Sequence, residues 1–124
     1  MDLSIVIPCC NEADNIPRLA STLLPVAADL ARTRAVEVVF VDDGSVDETW
    51  LGLKSAFSPD RLPAGVTCRF ERHPVNRGLG AAIRTGLGVA SGHVIVTTDA
   101  DGTYRFANIP AMLDLLRPDV DIVT

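Results

Sequence analysis

The feature that most constrains how this chain can fold is a regular alternation of short apolar segments with longer amphipathic ones. Five apolar runs predict β-strands, at residues 3–10, 35–41, 66–73, 91–99 and 119–124. Helical patterns lie between them, at 12–32, 42–57 (a turn leading into a helix), 79–90 and 105–118. Strands that alternate with helices predict a parallel sheet covered by helices on both faces, in a single α/β domain of 124 residues.

The composition is that of a globular protein with a hydrophobic core, at 48% hydrophobic and 22% charged residues. The formal net charge of −5 argues against electrostatic binding of nucleic acid, which needs a basic surface. Three cysteines without framework spacing (Cys9, Cys10 and Cys68) predict reduced thiols in a cytosolic protein. We expect neither a signal peptide nor a membrane span in this chain, because no apolar run approaches the roughly 20 residues of a membrane helix.

Polar loops follow the first four predicted strands, at residues 8–12, 42–45, 73–80 and 99–104. In a parallel sheet these loops share one edge, at the carboxyl ends of the strands, where open α/β sheets bind ligands. With the strand order 3-2-1-4, the first and fourth strands are neighbours. Glu12 is then expected close to Asp99 and Asp101, with Asp43 one strand away.

Asp99 and Asp101 stand at the end of a buried strand, separated only by Ala100. Two carboxylates in such a place are costly unless something pairs with them, and crowding with Glu12 adds repulsion. Mg²⁺ or Mn²⁺ resolves this, because these ions bind one or two carboxylates together with the phosphates of a substrate. The sequence therefore predicts a divalent metal held by Asp99 and Asp101 and shared with a diphosphate.

Several other residues have structural interpretations that compete with functional ones. Gly78 and Gly80 allow a tight turn, and the helix start behind them offers free N–H groups to an anion. Arg84, in the same helix, is either a solvated surface residue or a ligand contact, and Tyr104 either stacks on a base or sugar or packs. Structural roles in turns, caps and packing are predicted for Asp14, Asp42, Asp47, Ser45, Trp50, His73 and His93. Ser45 or Asp47 is the candidate N-cap of the helix predicted within residues 42–57.

Four segments, in this order and spacing, resemble the motifs of family 2 glycosyltransferases: "IVIPCCNEADNIP", "VFVDDGSVDET", "NRGLGAAIRTGL" and "TDADGTY". The strongest resemblance is to the polyprenyl-phosphate and dolichyl-phosphate sugar transferases. It implies a Rossmann-like GT-A fold over residues 1–124, with a nucleotide-sugar donor. Because the chain stops near "DIVT", the resemblance also implies that only the N-terminal, donor-binding part is present and that the acceptor half is missing.

The resemblance implies a role for each matching residue. Pro8 and Glu12 would line the nucleotide pocket, and Asp43 would hydrogen-bond the base. Arg84 would lie near the base or the ribose. Asp99 and Asp101 would form the DxD motif, with Asp101 a metal ligand and Asp99 bridging metal, ribose or sugar. Two positions depart from the family pattern: Cys10 stands where tyrosine is common, and Thr103 where the lipid-phosphate enzymes often have glutamine.

The activity implied is inverting, metal-assisted transfer of a sugar from a UDP- or GDP-sugar to a polyprenyl phosphate or a glycan hydroxyl. A lipid-phosphate acceptor is already anionic, whereas a hydroxyl needs a carboxylate base. The resemblance places the protein in the cytoplasm or at the cytoplasmic face of a membrane. Neither the sugar, the acceptor nor the oligomeric state follows from the sequence.

Three alternative functions compete with this one. A donor-binding module without catalysis fits the same motifs. The "DADGT" segment also fits haloacid-dehalogenase-type phosphatases, with Asp99 as nucleophile and Asp101 as general acid. In that family, however, the motif opens the domain and a lysine follows downstream, and no lysine follows Tyr104 here. A dinucleotide oxidoreductase needs a glycine-rich turn after the first strand, and residues 8–12 contain no glycine.

Overall fold

A computed structural model describes residues 2–102, 105–117, 119 and 123. Within these residues, four strands form one sheet in the order β3-β2-β1-β4: β1 (Leu3–Cys9), β2 (Val36–Asp43), β3 (Val66–His73) and β4 (Val94–Thr97). Each neighbouring pair of strands is parallel. The predicted parallel sheet and its order are therefore confirmed, while most of the predicted fifth strand (119–124) lies outside the described residues.

The helices occupy the predicted intervals but are shorter than the patterns suggested. They are α1 (Ile16–Leu30), α2 (Thr49–Ala56), α3 (Leu79–Val89) and α4 (Ile109–Leu115). Short 3₁₀ turns occur at Ala13–Asn15, Pro59–Arg61 and Phe106–Asn108. Pro17 lies in the first turn of α1, where its missing N–H is tolerated, so the helix begins only at Ile16. The helix continues through Pro25 to Leu30.

The two faces of the sheet bury separate hydrophobic clusters. On one face, alternate residues of β1 and β2 pack against α1, α2 and α4, and the rings of Phe40 and Phe57 lie 4.5 Å apart. On the other face, α3 covers Val6, Val39 and Val41. This arrangement is the predicted three-layer α/β/α architecture. It leaves the carboxyl ends of the strands free to carry loops.

Glu37, on the α3 face of β2, is the centre of a buried polar network at the opposite edge of the sheet. It is 6% exposed and accepts hydrogen bonds from the Ser4 hydroxyl at 2.8 Å and from the amide of Ser91 at 3.0 Å. The Ser91 hydroxyl adds a bond at 3.1 Å. Burial works to raise the pKa of Glu37, but these bonds and the charge of Arg69 outweigh it, so the pKa lies below its usual range.

Replacing Glu37 with glutamine is expected to lower stability at neutral pH by about 1–3 kcal/mol, because charge-assisted bonds in a buried site are lost. Because its folded pKa is depressed, the glutamate's contribution is complete above its unfolded pKa of about 4.3 and is lost as pH falls through the folded value. Urea unfolding from pH 7 to pH 3 should therefore show the two proteins converging in acid. The control, Glu48→Gln at an exposed position, should differ little from wild type in free energy of unfolding. If the difference between Glu37→Gln and wild type did not narrow in acid, the lowered pKa of Glu37 would be contradicted.

Candidate functional site

The loops at the carboxyl edge of the sheet enclose a cavity of about 520 Å³, within the range typical of small-molecule sites. We call it the edge cavity. It lies where the chain crosses from one half of the sheet to the other, between β1 and β4, which is the position favoured for ligands in open α/β folds. Its lining residues are Pro8, Cys9, Cys10, Glu12, Asp43, Asn76, Gly78, Leu79, Ala82, Asp99, Ala100 and Asp101.

The structure brings together nearly every residue that the sequence singled out. Six predicted site residues line the edge cavity: Pro8, Glu12, Asp43, Gly78, Asp99 and Asp101. Arg84 does not; it is exposed on α3 and is absent from the lining. Thr103 and Tyr104 lie outside the described residues. The predicted proximity of Glu12 to the two aspartates thus follows from the strand order, which puts β4 beside β1.

The loop after β1 is held by side chains of the loop after β2. The Asn11 amide donates to Ser45 Oγ at 2.9 Å, and the Glu12 amide donates to Thr49 Oγ1 at 2.8 Å. The Ala13 amide donates to Asp47 Oδ2 at 3.2 Å. Ser45 or Asp47 was predicted to cap α2. The N-cap position is Glu48, with no side-chain cap bond, but Asp47 Oδ1 accepts the amide of Thr49, the first residue of α2, at 3.0 Å. The side chains of Ser45 and Asp47 also fix the loop that carries Glu12.

Asn11 completes this connection by taking an unusual backbone conformation. Its φ of 54° is in the left-handed region, which asparagine tolerates better than most residues. In that conformation its Oδ1 accepts the amide of Val46 at 2.9 Å. The two loops therefore exchange hydrogen bonds in both directions.

The aspartate loop after β4 is seated on α1 and on the turn before it. Ala100, between the two aspartates, is 5% exposed and belongs to the core. Asn15 Nδ2 donates to the Ala100 carbonyl at 2.6 Å and to Glu12 Oε2 at 3.2 Å. Asn15 was not singled out from the sequence, yet it joins the Glu12 loop to the Asp99–Asp101 loop. With Ala100 buried, Asp99 is half-buried and Asp101 exposed.

Asp43 anchors the start of α3. It is 4% exposed, and it accepts the His73 ring Nδ1–H at 2.8 Å, the Arg77 amide at 2.8 Å and the Gly78 amide at 2.9 Å. Burial alone would raise the pKa of Asp43, but the bonds from the histidine and the two amides outweigh it and hold the pKa below its usual range. Asp43 is thus an ionised, oriented carboxylate in the wall of the edge cavity.

Asn76 is a second residue that sequence reasoning passed over. Its Nδ2 lies 3.2 Å from Cys10 Sγ and 3.3 Å from the Asp43 carbonyl, so it contacts both neighbouring loops. Gly44 permits this approach: its φ is +69°, and a Cβ there would stand 2.2 Å from the Asn76 backbone nitrogen. The position of Asn76 in the "NRG" turn, directly before the glycine-rich helix start, is the sequence signal that pointed to this residue.

The donor set of the edge cavity suits a hard divalent cation. Asp99, Asp101 and Glu12 offer only carboxylate oxygens, which Mg²⁺ and Mn²⁺ prefer. Among the residues that the structure describes, no three His, Cys, Asp or Glu side chains are grouped closely enough to hold a metal by themselves. A metal bound by one or two of these carboxylates would therefore need oxygens from a substrate or from water, as Mg²⁺ sites commonly do.

The family model of glycosyl transferase family 2 matches residues 4–124. The chain belongs to glycosyltransferase family 2. Two curated relatives are the undecaprenyl-phosphate 4-deoxy-4-formamido-L-arabinose transferase of Yersinia pestis (strain Pestoides F), 34% identical, and the dolichol-phosphate mannosyltransferase of Pyrococcus furiosus, 32% identical. Each match covers 98% of this chain but only 35% and 32% of the relative, so this family 2 chain spans about a third of their length.

Solved structures share the fold of this family 2 chain. A mannosyltransferase from Pyrobaculum calidifontis in complex with GDP-Man and Mn²⁺ superposes with a TM-score of 0.77, at 24% identity over 95% of this chain and 33% of that one. S. aureus TarS 1–349 in complex with UDP gives a TM-score of 0.64, also at 24% identity, over 93% of this chain and 32% of that one. The predicted GT-A fold is confirmed, and each match covers only about a third of the solved chain. No described helix has the length and apolarity to cross a membrane.

Proposed function

We propose that this chain is the donor-binding part of a glycosyltransferase and that the edge cavity binds a nucleotide-sugar together with Mg²⁺ or Mn²⁺. The observation that carries this proposal is the convergence of Glu12, Asp43, Asp99 and Asp101 from three different loops on one cavity. In the whole protein, the sugar is transferred to a polyprenyl phosphate. The curated relatives support this acceptor class, because their names specify undecaprenyl phosphate and dolichol phosphate.

Each group of lining residues has a distinct task in this proposal. Asp43, which holds its charge in a buried wall, accepts an N–H of the nucleotide base. Asp101 and Asp99 hold the cation, and Asn15 keeps their loop beside Glu12. The cation, when bound, neutralises the charge of the leaving nucleoside diphosphate. Gly78 has a φ of +97° and no heavy atom within 4 Å of the position a Cβ would take, so the nucleotide-sugar can approach the start of α3 closely.

In this proposal, no residue of this chain is assigned to binding the acceptor. A phosphate oxygen is anionic at neutral pH, so it attacks the anomeric carbon without a strong general base. In-line attack inverts that carbon while the bond to the diphosphate breaks. A glycan hydroxyl would need a carboxylate base supplied by the remainder of the protein.

Calorimetric titration with UDP and with GDP tests the donor site, each in Mn²⁺ and in EDTA. Wild type should bind one nucleotide in the micromolar range in Mn²⁺ and lose that binding in EDTA. Asp101→Ala should abolish the metal-dependent heat, whereas Asp60→Ala, an exposed aspartate outside the cavity, should not change it. Absence of binding by a folded wild-type chain, or unchanged binding by Asp101→Ala, would contradict the proposal.

Turnover separates an enzyme from a binding module. Incubating the chain with Mn²⁺, a nucleotide-sugar and a short polyprenyl phosphate should yield a glycosylated lipid if the donor part is competent by itself. Metal-dependent binding without product would favour the donor-binding module for this chain. Membership of family 2 favours the transferase over the haloacid-dehalogenase-type phosphatase, and release of phosphate from simple phosphate esters would reverse that preference.

Cys10 offers a direct footprint of the edge cavity. Its thiol is half-exposed in the lining, whereas burial raises the pKa of Cys68 to about 12 and that of Cys9 further still. Because the thiolate is the reactive form, iodoacetamide should label Cys10 first, and Mn²⁺ with the cognate nucleotide should slow that labelling. Peptide mass spectrometry measures the rates, and Cys10→Ser serves as the control. Faster labelling of Cys9 or Cys68 would contradict the described burial.

A further inference from the structure

His73 is a buried histidine directly behind the wall of the edge cavity. It is the last residue of β3, and its register partner on β2 is Asp43. Both side chains point to the α3 face, and His73 is 5% exposed without lining the cavity itself. A buried imidazole needs partners for both ring nitrogens, and here both have one.

Asp43 fixes the tautomer of the neutral His73 ring. Nδ1 lies 2.8 Å from Asp43 Oδ1, and Nε2 lies 2.8 Å from Thr85 Oγ1 on α3. An ionised carboxylate can only accept, so Nδ1 carries the hydrogen of the neutral ring. Nε2 is then an acceptor, and the Thr85 hydroxyl donates to it. The relay runs from Thr85 through the imidazole to Asp43 and ties α3, β3 and β2 together.

This relay leaves Asp43 with a defined remaining capacity. Oδ1 accepts from His73 and from the Arg77 amide, and Oδ2 accepts from the Gly78 amide. A carboxylate offers about four acceptor positions, so one position on Oδ2 remains. The His73 bond prevents rotation of the carboxylate, because rotation would break the pairing with the ring and with both amides.

We propose that His73, supported by Thr85, is a positioning residue for nucleotide recognition: it fixes the Asp43 carboxylate so that the open acceptor position on Oδ2 is presented to an N–H of the base. This inference rests on the proposed donor site. His73 acts through Asp43 and touches no ligand. Its contribution is a donor at the Nδ1 position, and the volume of the ring is secondary.

Three substitutions separate donor geometry from packing. The amide nitrogen of His73→Asn can occupy the place of Nδ1 and still donate to Asp43, although the smaller side chain leaves a void. His73→Gln fills more of the space and reaches towards Thr85, but it has no donor at the Nδ1 position. Thr85→Val removes the hydroxyl with little change in shape. Circular dichroism and melting temperature establish folding for each variant.

Nucleotide affinity in Mn²⁺ should depend on whether residue 73 can donate a hydrogen bond to Asp43, and not on the stability of the variant. We expect His73→Asn to bind the cognate nucleotide within about threefold of wild type, and His73→Gln to bind about tenfold more weakly, as expected for loss of one charge-assisted bond. Thr85→Val should fall between them. The exposed His93→Gln is the matched control and should match wild type. Equal losses in the asparagine and glutamine variants, or losses ordered by melting temperature, would overturn the proposal.

The tautomer gives a readout that does not depend on nucleotide. Long-range ¹H–¹⁵N spectra at pH 8 should show His73 protonated at Nδ1, and the chain's only other histidine, His93, provides the reference for an exposed ring. A predominant Nε2–H form of His73 would overturn the positioning role alone. Failure of wild type to bind either nucleotide would overturn the donor site, and the positioning proposal with it. If wild type bound the nucleotide and His73→Gln bound it with the same affinity, only the positioning role of His73 would be overturned.

Discussion

Replacing Asp43 with asparagine is expected to destabilise the folded chain by about 2–4 kcal/mol, more than any other single polar change considered for this protein. The carboxylate accepts three N–H groups, from one ring and two amides. An asparagine side chain has one accepting oxygen, and its NH₂ group would face the Gly78 N–H, donor against donor. The buried charge that attracts these donors is lost as well. Equilibrium unfolding in urea at pH 7 measures the effect.

The control for this change is Asp14→Asn, an exposed aspartate in the turn before α1. It removes the same charge and should alter stability by no more than about 0.5 kcal/mol. If Asp43→Asn were as mild as this control, the three hydrogen bonds would contribute little, and the start of α3 would have to be held by packing alone.

Alanine at position 86 is expected to destabilise the chain by about 2–3 kcal/mol, even though alanine is the better helix former. Gly86 lies in α3 where the helix crosses the sheet, and it is buried. A Cβ there would stand 2.3 Å from Val6 Cγ1 and 3.4 Å from Val41 Cγ2, both in the core. Either the helix must lift or the valines must leave their rotamers, and both disturb close packing.

Gly88, two residues further along α3, is expected to respond to alanine in the opposite way. Nothing lies within 4 Å of a Cβ built there, and the residue is exposed. Gly88→Ala should therefore stabilise the chain by about 0.5–1 kcal/mol through helix propensity alone. Thermal and urea unfolding of the two variants side by side should move in opposite directions. A stabilising Gly86→Ala would mean that α3 does not approach the sheet as closely as described.

Much of the fold could be predicted because strands buried on both faces leave continuous apolar runs, of which 35–41 is the plainest. The strand boundaries were less predictable. β2 runs on through Asp42 and Asp43, which stay in register with Arg72 and His73, and Asp43 gains a hydrogen bond with His73 there. β4 begins only at Val94, because the amides of Ser91 and Gly92 bond to Glu37 and Ser4. Such compensation depends on residues dozens of positions away, which local patterns do not contain.

The location of the site could be predicted from the sequence better than the side-chain contacts within it. Strand order and the position of polar loops were enough to collect Glu12, Asp99 and Asp101 at one edge. Sequence patterns assigned Ser45 and Asp47 to capping because capping is a local rule, and their bonds to a loop that lies 34 residues earlier were not predicted. His73 was expected to be structural, and its contact with Asp43 became visible only through the β2–β3 register. The placement of Arg84 at the ligand remains a prediction, with its side chain exposed on α3.

The mutual hydrogen bonds between the loops after β1 and β2 bear on the thermodynamics of binding. Loops that must become ordered around a ligand subtract conformational entropy from the affinity, at about 0.5–1.5 kcal/mol for each immobilised flexible side chain. Here the amides of Asn11, Glu12 and Ala13 already have side-chain partners across the gap. A ligand therefore meets a preorganised wall on this side of the edge cavity. The remaining ordering cost falls on the ligand itself and on the other walls.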